Sequence, residues 1–173
     1  MNTDEIKLIY EYNYWANHRI LTTCAQVSPE QYAASASPRG LGYESLRATV
    51  LHILGSERGW RLICQGVSVV DWDELTEAHF PTPQSLEERW QAEEQEMRAY
   101  IGSLNDDDLQ GIVRYPVDNG ILRERVLWHC LYHLVNHGTQ HRSEAAVLLT
   151  SYGQSPGDFD FTMFLNEHFK LPS

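Results

Sequence analysis

His129, His133, His137 and His141 recur every four residues within a segment whose periodicity predicts one long helix. Four residues of α-helix turn through roughly 400°, so each histidine stands about 40° around the axis from the one before. Neighbours in the series share a face, and imidazoles at i and i+4 are a common way for one helix to offer two nitrogens to one metal ion. The ends of the series, His129 and His141, are about 120° apart and cannot serve the same ion. Measured from the direction midway between His137 and His141, Cys130, Leu148, Leu134, Val126, Leu127 and Ala145 all lie within roughly 60°. His133 falls at the edge of this apolar stripe and His129 outside it. The pair His137/His141 is therefore centred on the buried face. An imidazole placed there needs a partner for its ring nitrogens, either a hydrogen-bonding neighbour or a metal ion.

A pair is not a cage, and the third donor must come from another element. Residues 43–64 read as a largely buried helix, with Arg47, Glu57, Arg58 and Arg61 confined to one sector. His52 lies on a face of different character, with Ser45, Ala48, Thr49, Gly55, Ser56 and Gly59 within roughly 60° of it. A glycine inside a helix costs about 1 kcal/mol relative to alanine, so this concentration of small residues implies a use for the space. That use is a close-packed neighbouring helix or a cavity. His52 becomes the natural third ligand. Cys130, near the histidine direction, is either a sulfur donor or an ordinary buried apolar cysteine. Asp71, Asp73, Glu74 and Glu77, in the irregular stretch 66–84, lack the tight spacing of an oxygen-ligand site and read as a solvated loop.

The remaining elements are read in chain order. A first helix runs from about Asp4 to Ala25, with Asn2 and Glu5 at its cap. Its rings, Tyr10, Tyr12, Tyr14 and Trp15, read as packing, and neither a tyrosine nor His18 is singled out as a pocket residue. Ser28-Pro29 ends that helix, and 33–42 is a loop. Ser85 and Glu88 form a capping box for a third helix ending near Leu104. Glu87, Glu88, Arg89, Glu93, Glu94, Glu96 and Arg98 read as its solvent face. Residues 112–117 fit a short extended piece or small hairpin. The histidine helix is expected from about Leu122 to Ser151, stopped by Gly153 and Pro156, and Asp158 caps a short last helix, 159–169. The resulting expectation is an all-α fold: one domain over 1–173, a four-helix bundle with a short C-terminal helix, the second and fourth long helices being neighbours.

The chain has 173 residues and a formal net charge of −11, with Lys7 and Lys170 its only lysines. Phosphate binding needs a concentrated basic patch, so a nucleic-acid partner is not expected. Three widely spaced cysteines in apolar sequence fit reduced thiols rather than a disulfide framework. Without a leader pattern or an apolar run of spanning length, the expectation is a soluble cytoplasmic protein.

Four segments together carry a family resemblance. They are Tyr10-Glu-Tyr-Asn-Tyr-Trp-Ala-Asn17, Leu51-His52, Asn136-His-Gly-Thr-Gln-His-Arg142 and Gly157-Asp-Phe-Asp-Phe161. In this order they resemble the DinB/YfiT-like superfamily of metalloenzymes over nearly the whole chain. The resemblance implies an up-down-down-up four-helix bundle, often dimeric, in which His52, His137 and His141 hold a divalent metal. Zinc or nickel comes first, with iron, manganese or copper also suited to three imidazoles. Such a site leaves at least one coordination position open. It also implies thiol chemistry, because the family includes S-transferases that use low-molecular-weight thiols. The leading expectation is an enzyme that activates a small thiol for transfer to an electrophile. The alternatives are a hydrolase using metal-activated water, or a non-catalytic binder of metal or a stress ligand. Where many members have Gly-Gln after the last His-Arg, this chain has Ser143-Glu144. Glu144 is the candidate catalytic residue, with three readings: an extra ligand, a partner to a ligand histidine, or a base. The bland alternative is a half-exposed side chain without a role.

Overall fold

A computed structural model describes residues 1–35, 43–67, 75–117 and 120–169. Most of the loop expected at 33–42, the acidic positions Asp71, Asp73 and Glu74, and Asp118-Asn119 of the expected turn lie outside those residues. The described chain is mostly helical, with one small two-stranded sheet.

Helix α1 spans Thr3–Cys24 and opens on a reciprocal capping box between Asn2 and Glu5. A five-residue helix not foreseen from sequence, α2 (Pro29–Ala33), follows immediately. Ser28 and Gln31 cap it reciprocally, and Pro29 takes the first-turn position where its missing N–H costs nothing. Helix α3 (Leu46–Cys64) is capped by Ser45, whose hydroxyl accepts from the Ala48 N–H at 3.0 Å. Helix α4 (Pro83–Ser103) starts earlier than expected. Thr82 is its N-cap and Ser85 the partner in the box, because Pro83 is itself a favoured first helical residue.

Strands β1 (Ile112–Pro116) and β2 (Leu122–Val126) pair antiparallel, Val113 opposite Arg125 and Tyr115 opposite Arg123. The histidine helix, α5, therefore runs Leu127–Ser151 and not from Leu122. Residues 122–126 give their backbone groups to β1 instead, and the helix begins at the end of the ladder. The last helix, α6, spans Phe161–His168 and is capped by Asp160 rather than Asp158.

Among the long helices, α5 packs on α1 and α3, and α4 packs on the same two from another side. The core has two parts. One gathers Ile20, Leu46, Leu54, Trp90 and Leu148; the other gathers Ile6, Tyr10, Met97, Leu131 and Leu134. Buried polar groups cross between helices. Glu57 Oε1 on α3 accepts from Asn13 and Asn17 of α1 at 2.7 Å each, and Oε2 accepts from the Trp90 indole of α4 at 2.7 Å. The same two asparagines accept from Arg142 Nη1 of α5, at 2.6 and 2.8 Å. Burial pushes the Glu57 carboxyl up, against the pull of its three donors and of Arg142. A second buried contact corrects the solvent-face expectation for α4. Glu93 is wholly buried because Arg61 of α3 reaches it with two guanidinium nitrogens, while Glu96 meets the same arginine nearer the surface.

Candidate metal centre

α3 presents His52 toward α5, and α5 presents His137 and His141 one turn apart on its facing side. Ring centroids lie 4.9 Å apart for His52–His137, 4.6 Å for His52–His141 and 4.4 Å for His137–His141. One nitrogen from each ring lies within 4.8 Å of the other two. The closest pair, His52 Nε2 and His137 Nε2, is 3.1 Å apart. Two imidazole nitrogens bound tetrahedrally about 2.0–2.1 Å from one ion stand about 3.3 Å apart, so this spacing suits a shared ion.

The outer nitrogens support the same orientation. His52 Nδ1 is 2.6 Å from the Tyr43 hydroxyl, and His141 Nδ1 is 2.7 Å from Glu144 Oε2. A carboxylate can only accept, so His141 carries its proton on Nδ1 and keeps a lone pair on Nε2. The Tyr43 hydroxyl can accept from or donate to His52 Nδ1, so it holds that ring in place without choosing its tautomer. The facing nitrogens of His52 and His137 meet either as a hydrogen bond, one neutral ring donating to the other, or across a shared cation. Burial, helped by neighbouring histidines, pushes the pKa of His52 and of His137 down to about 4, so both are neutral near pH 7, the state in which imidazole binds metal. Among the described residues this is the one cluster of three or more His, Cys, Asp or Glu side chains arranged to hold an ion.

A cavity of about 620 Å³ opens beside the rings, with His52, Gly55, Ser56 and Trp60 in its wall. A Cβ built on Gly55 would meet nothing within 4 Å. The small residues near His52 thus border open space at this point, not a close-packed helix. Ser56 Oγ stands 3.4 Å from His52 Nε2 at the cavity edge.

Other sequence candidates go elsewhere. Cys130 is buried and is not part of the cluster formed by the three rings. His129 is exposed against Trp128, and His133 is exposed with its ring against Trp60. Glu77 pairs with Arg47 at 2.6 Å. Two contributions escaped sequence reasoning. Tyr43, expected to open the helix read over 43–64, instead lies before the cap of α3, which starts at Leu46, and the turn at Ser45 returns its ring to His52, 4.3 Å between centroids. The Asn13–Asn17–Glu57–Arg142 network, which fixes the neighbour of His141, left only a weak sign: polar residues at core positions of α1.

A profile of the DinB family matches residues 1–169. Protein DinB of Bacillus subtilis (strain 168) is 24% identical over 171 residues, an alignment covering 92% of this chain and 94% of the relative. Both matches run through α3 and α5, and so through all three histidines, as well as through the helices that frame them: the chain belongs to the DinB family.

Proposed function

We propose that this protein holds a divalent metal ion on His52, His137 and His141 and uses it to activate a low-molecular-weight thiol for transfer to an electrophile. The convergence of three imidazoles from two helices carries this reading. Three protein ligands without a thiolate among them differ from the closed four-ligand pattern of structural zinc sites and leave room for an exogenous ligand. An ion bound there supplies Lewis acidity, which lowers the pKa of a thiol or a water molecule toward neutrality. The chain's own groups set up the site. Glu144 fixes the tautomer of His141, Tyr43 orients His52, and the cavity beside Ser56 and Trp60 admits a small substrate. Glu144 is accordingly a positioning residue for His141.

The same reading takes α1, α3, α4 and α5 as an up-down-down-up four-helix bundle forming one domain. The pairing of α1 and α3 each with both α4 and α5 supports this. A homodimer working in the cytoplasm completes it; no described helix is long and apolar enough to cross a membrane.

The test starts with protein purified without a His-tag or a nickel column. Elemental analysis should find about one zinc, nickel, iron, manganese or copper per chain, lost in a His52→Ala/His137→Ala variant. Metal-loaded protein is then assayed for consumption of glutathione, bacillithiol or mycothiol against a panel of electrophiles. Turnover that requires water but no thiol makes it a hydrolase. Tight ligand binding without any turnover makes it a binding protein.

A further inference from the structure

A second cleft, about 390 Å³, lies beyond Trp60 and is lined by Trp60, Tyr115, Arg125, His129, Cys130 and His133. Trp60 is a wall of this cleft and of the cavity beside His52. The His133 ring, in the wall of the second cleft, lies 5.0 Å from Trp60 and 5.7 Å from the ring of His137. The two spaces are therefore neighbours across one indole.

Strand register decides the charge of the second cleft. Alternation puts Val113, Tyr115 and their partners Arg125 and Arg123 on one face of the hairpin, and Arg114 and Glu124 on the other. Val113 is buried and the Tyr115 ring meets Trp60 edge-on at 5.2 Å, so the first of these faces is the inward one. The hairpin's own acid is engaged on the outward face, where Glu124 binds Arg114 at 2.5 Å. Arg125 donates from Nη1 to the main-chain oxygen of Glu124 at 2.8 Å, and no carboxylate is among the described residues that line the cleft. On a chain of net charge −11, a cleft holding an arginine and two histidines with no acid is a local reversal of sign. The Cys130 thiol, which lines it, is held below its ordinary range chiefly by Cys64 and, against the opposing effect of burial, by the Arg125 cation.

The geometry points to this cleft as a subsite for a carboxylate on an apolar-bodied substrate, with Arg125 binding the carboxylate and Trp60 and Tyr115 flanking the body. The reacting end then reaches past Trp60 toward the three imidazoles. A guanidinium forks onto a carboxylate with two parallel hydrogen bonds, and the adjoining rings supply the apolar contact. As the seat of a substrate's tail, the subsite rests on the thiol-transfer reading; as an anion site it does not.

The test uses metal-free protein for that reason. 4-Phenylbutyrate and its neutral amide are titrated into ¹⁵N-labelled, chelator-treated protein, following the Trp60 indole and Arg125 Nε signals by NMR. The acid should shift both signals and bind about tenfold or more tightly than the amide, and Arg125→Gln should erase that preference. Arg125→Lys should keep part of it. Arg123→Gln, on the same hairpin face but outside the cleft, should bind as the parent does. Equal affinity for acid and amide overturns the inference. So does an unchanged preference in Arg125→Gln, or no shift at Trp60 with millimolar acid. Loss of metal binding to the three histidines with the acid preference intact would instead sink the metal reading and leave this subsite standing.

Discussion

His52, His137 and His141 are ordinary imidazoles whose use depends on which nitrogen is presented inward. The Glu144 contact makes that choice for His141, and the Tyr43 hydroxyl holds the ring of His52 in place. Removing such a partner typically weakens metal binding roughly 10- to 100-fold. Glu144→Ala should therefore cost about that much in affinity by competition with a chromophoric chelator, while Glu144→Gln, whose amide oxygen still accepts, costs less. Protonation gives a second expectation at this scale. The folded pKa values of His52 and His137 are depressed to about 4, so below the ordinary histidine range near 6.5 the unfolded chain takes up these protons first. Stability from keeping them neutral is complete above about pH 6.5 and drains away as pH falls toward 4. Urea midpoints of metal-free protein should fall across that window, and the fall should be shallower in His52→Gln/His137→Gln. Metal affinity should weaken over the same range, because the ion competes with protons for the same lone pairs.

Each helix face has its own requirement, and two glycines make the contrast measurable. Gly138, one residue after His137, sits where α5 meets α1. A Cβ there would lie 2.7 Å from Arg142 Nη1 and 3.2 Å from Asn13 Oδ1, both held in the buried network. Gly138→Ala should destabilise by about 1–3 kcal/mol and disturb the spacing of the two α5 histidines. Gly55, facing open space in α3, carries only the helix-propensity cost, and Gly55→Ala should raise stability by about 1 kcal/mol. Both changes can be read from urea denaturation of metal-free protein. The hairpin shows a different element-scale rule. Leu122–Val126 carries apolar residues at its ends that fit a helical pattern, yet ladder bonds to β1 claim the strand, and α5 begins only at Leu127.

At the scale of the molecule, one charged residue ties four helices together. Glu57 accepts from α1 and α4, and Arg142 of α5 closes the circuit through Asn13 and Asn17. Glu57→Ala leaves three buried donors without their acceptor and a wholly buried guanidinium without its neighbouring negative charge. Losing one side of a buried charged network costs about 3–5 kcal/mol, so this variant should unfold at much lower urea, and Glu57→Gln should recover part of the loss. The candidate metal spans α3 and α5, so an ion that binds only the folded chain should stabilise the whole. At 100 times its dissociation constant it contributes about 2.7 kcal/mol, visible as a rise in Tm that His52→Ala abolishes.

The histidine spacing, the small residues around His52 and the capping pair of Asn2 and Glu5 were legible without coordinates. Each is a local pattern with a fixed geometric meaning: residues four apart share a helix face, and a cap needs its partner two or three positions on. Those patterns were enough to nominate the pair on α5, the third ring on α3 and the extent of the long helices to within a few residues. Other features depended on groups distant in sequence and had no local signature. The burial of Glu93 by Arg61, the return of Tyr43 onto His52 and the orienting bond from Glu144 belong to this set, as does the convergence of the rings. Helical periodicity fixes a direction around one axis, whereas the distance between two helices is set by the side chains packed between them, and only the tertiary structure holds that information.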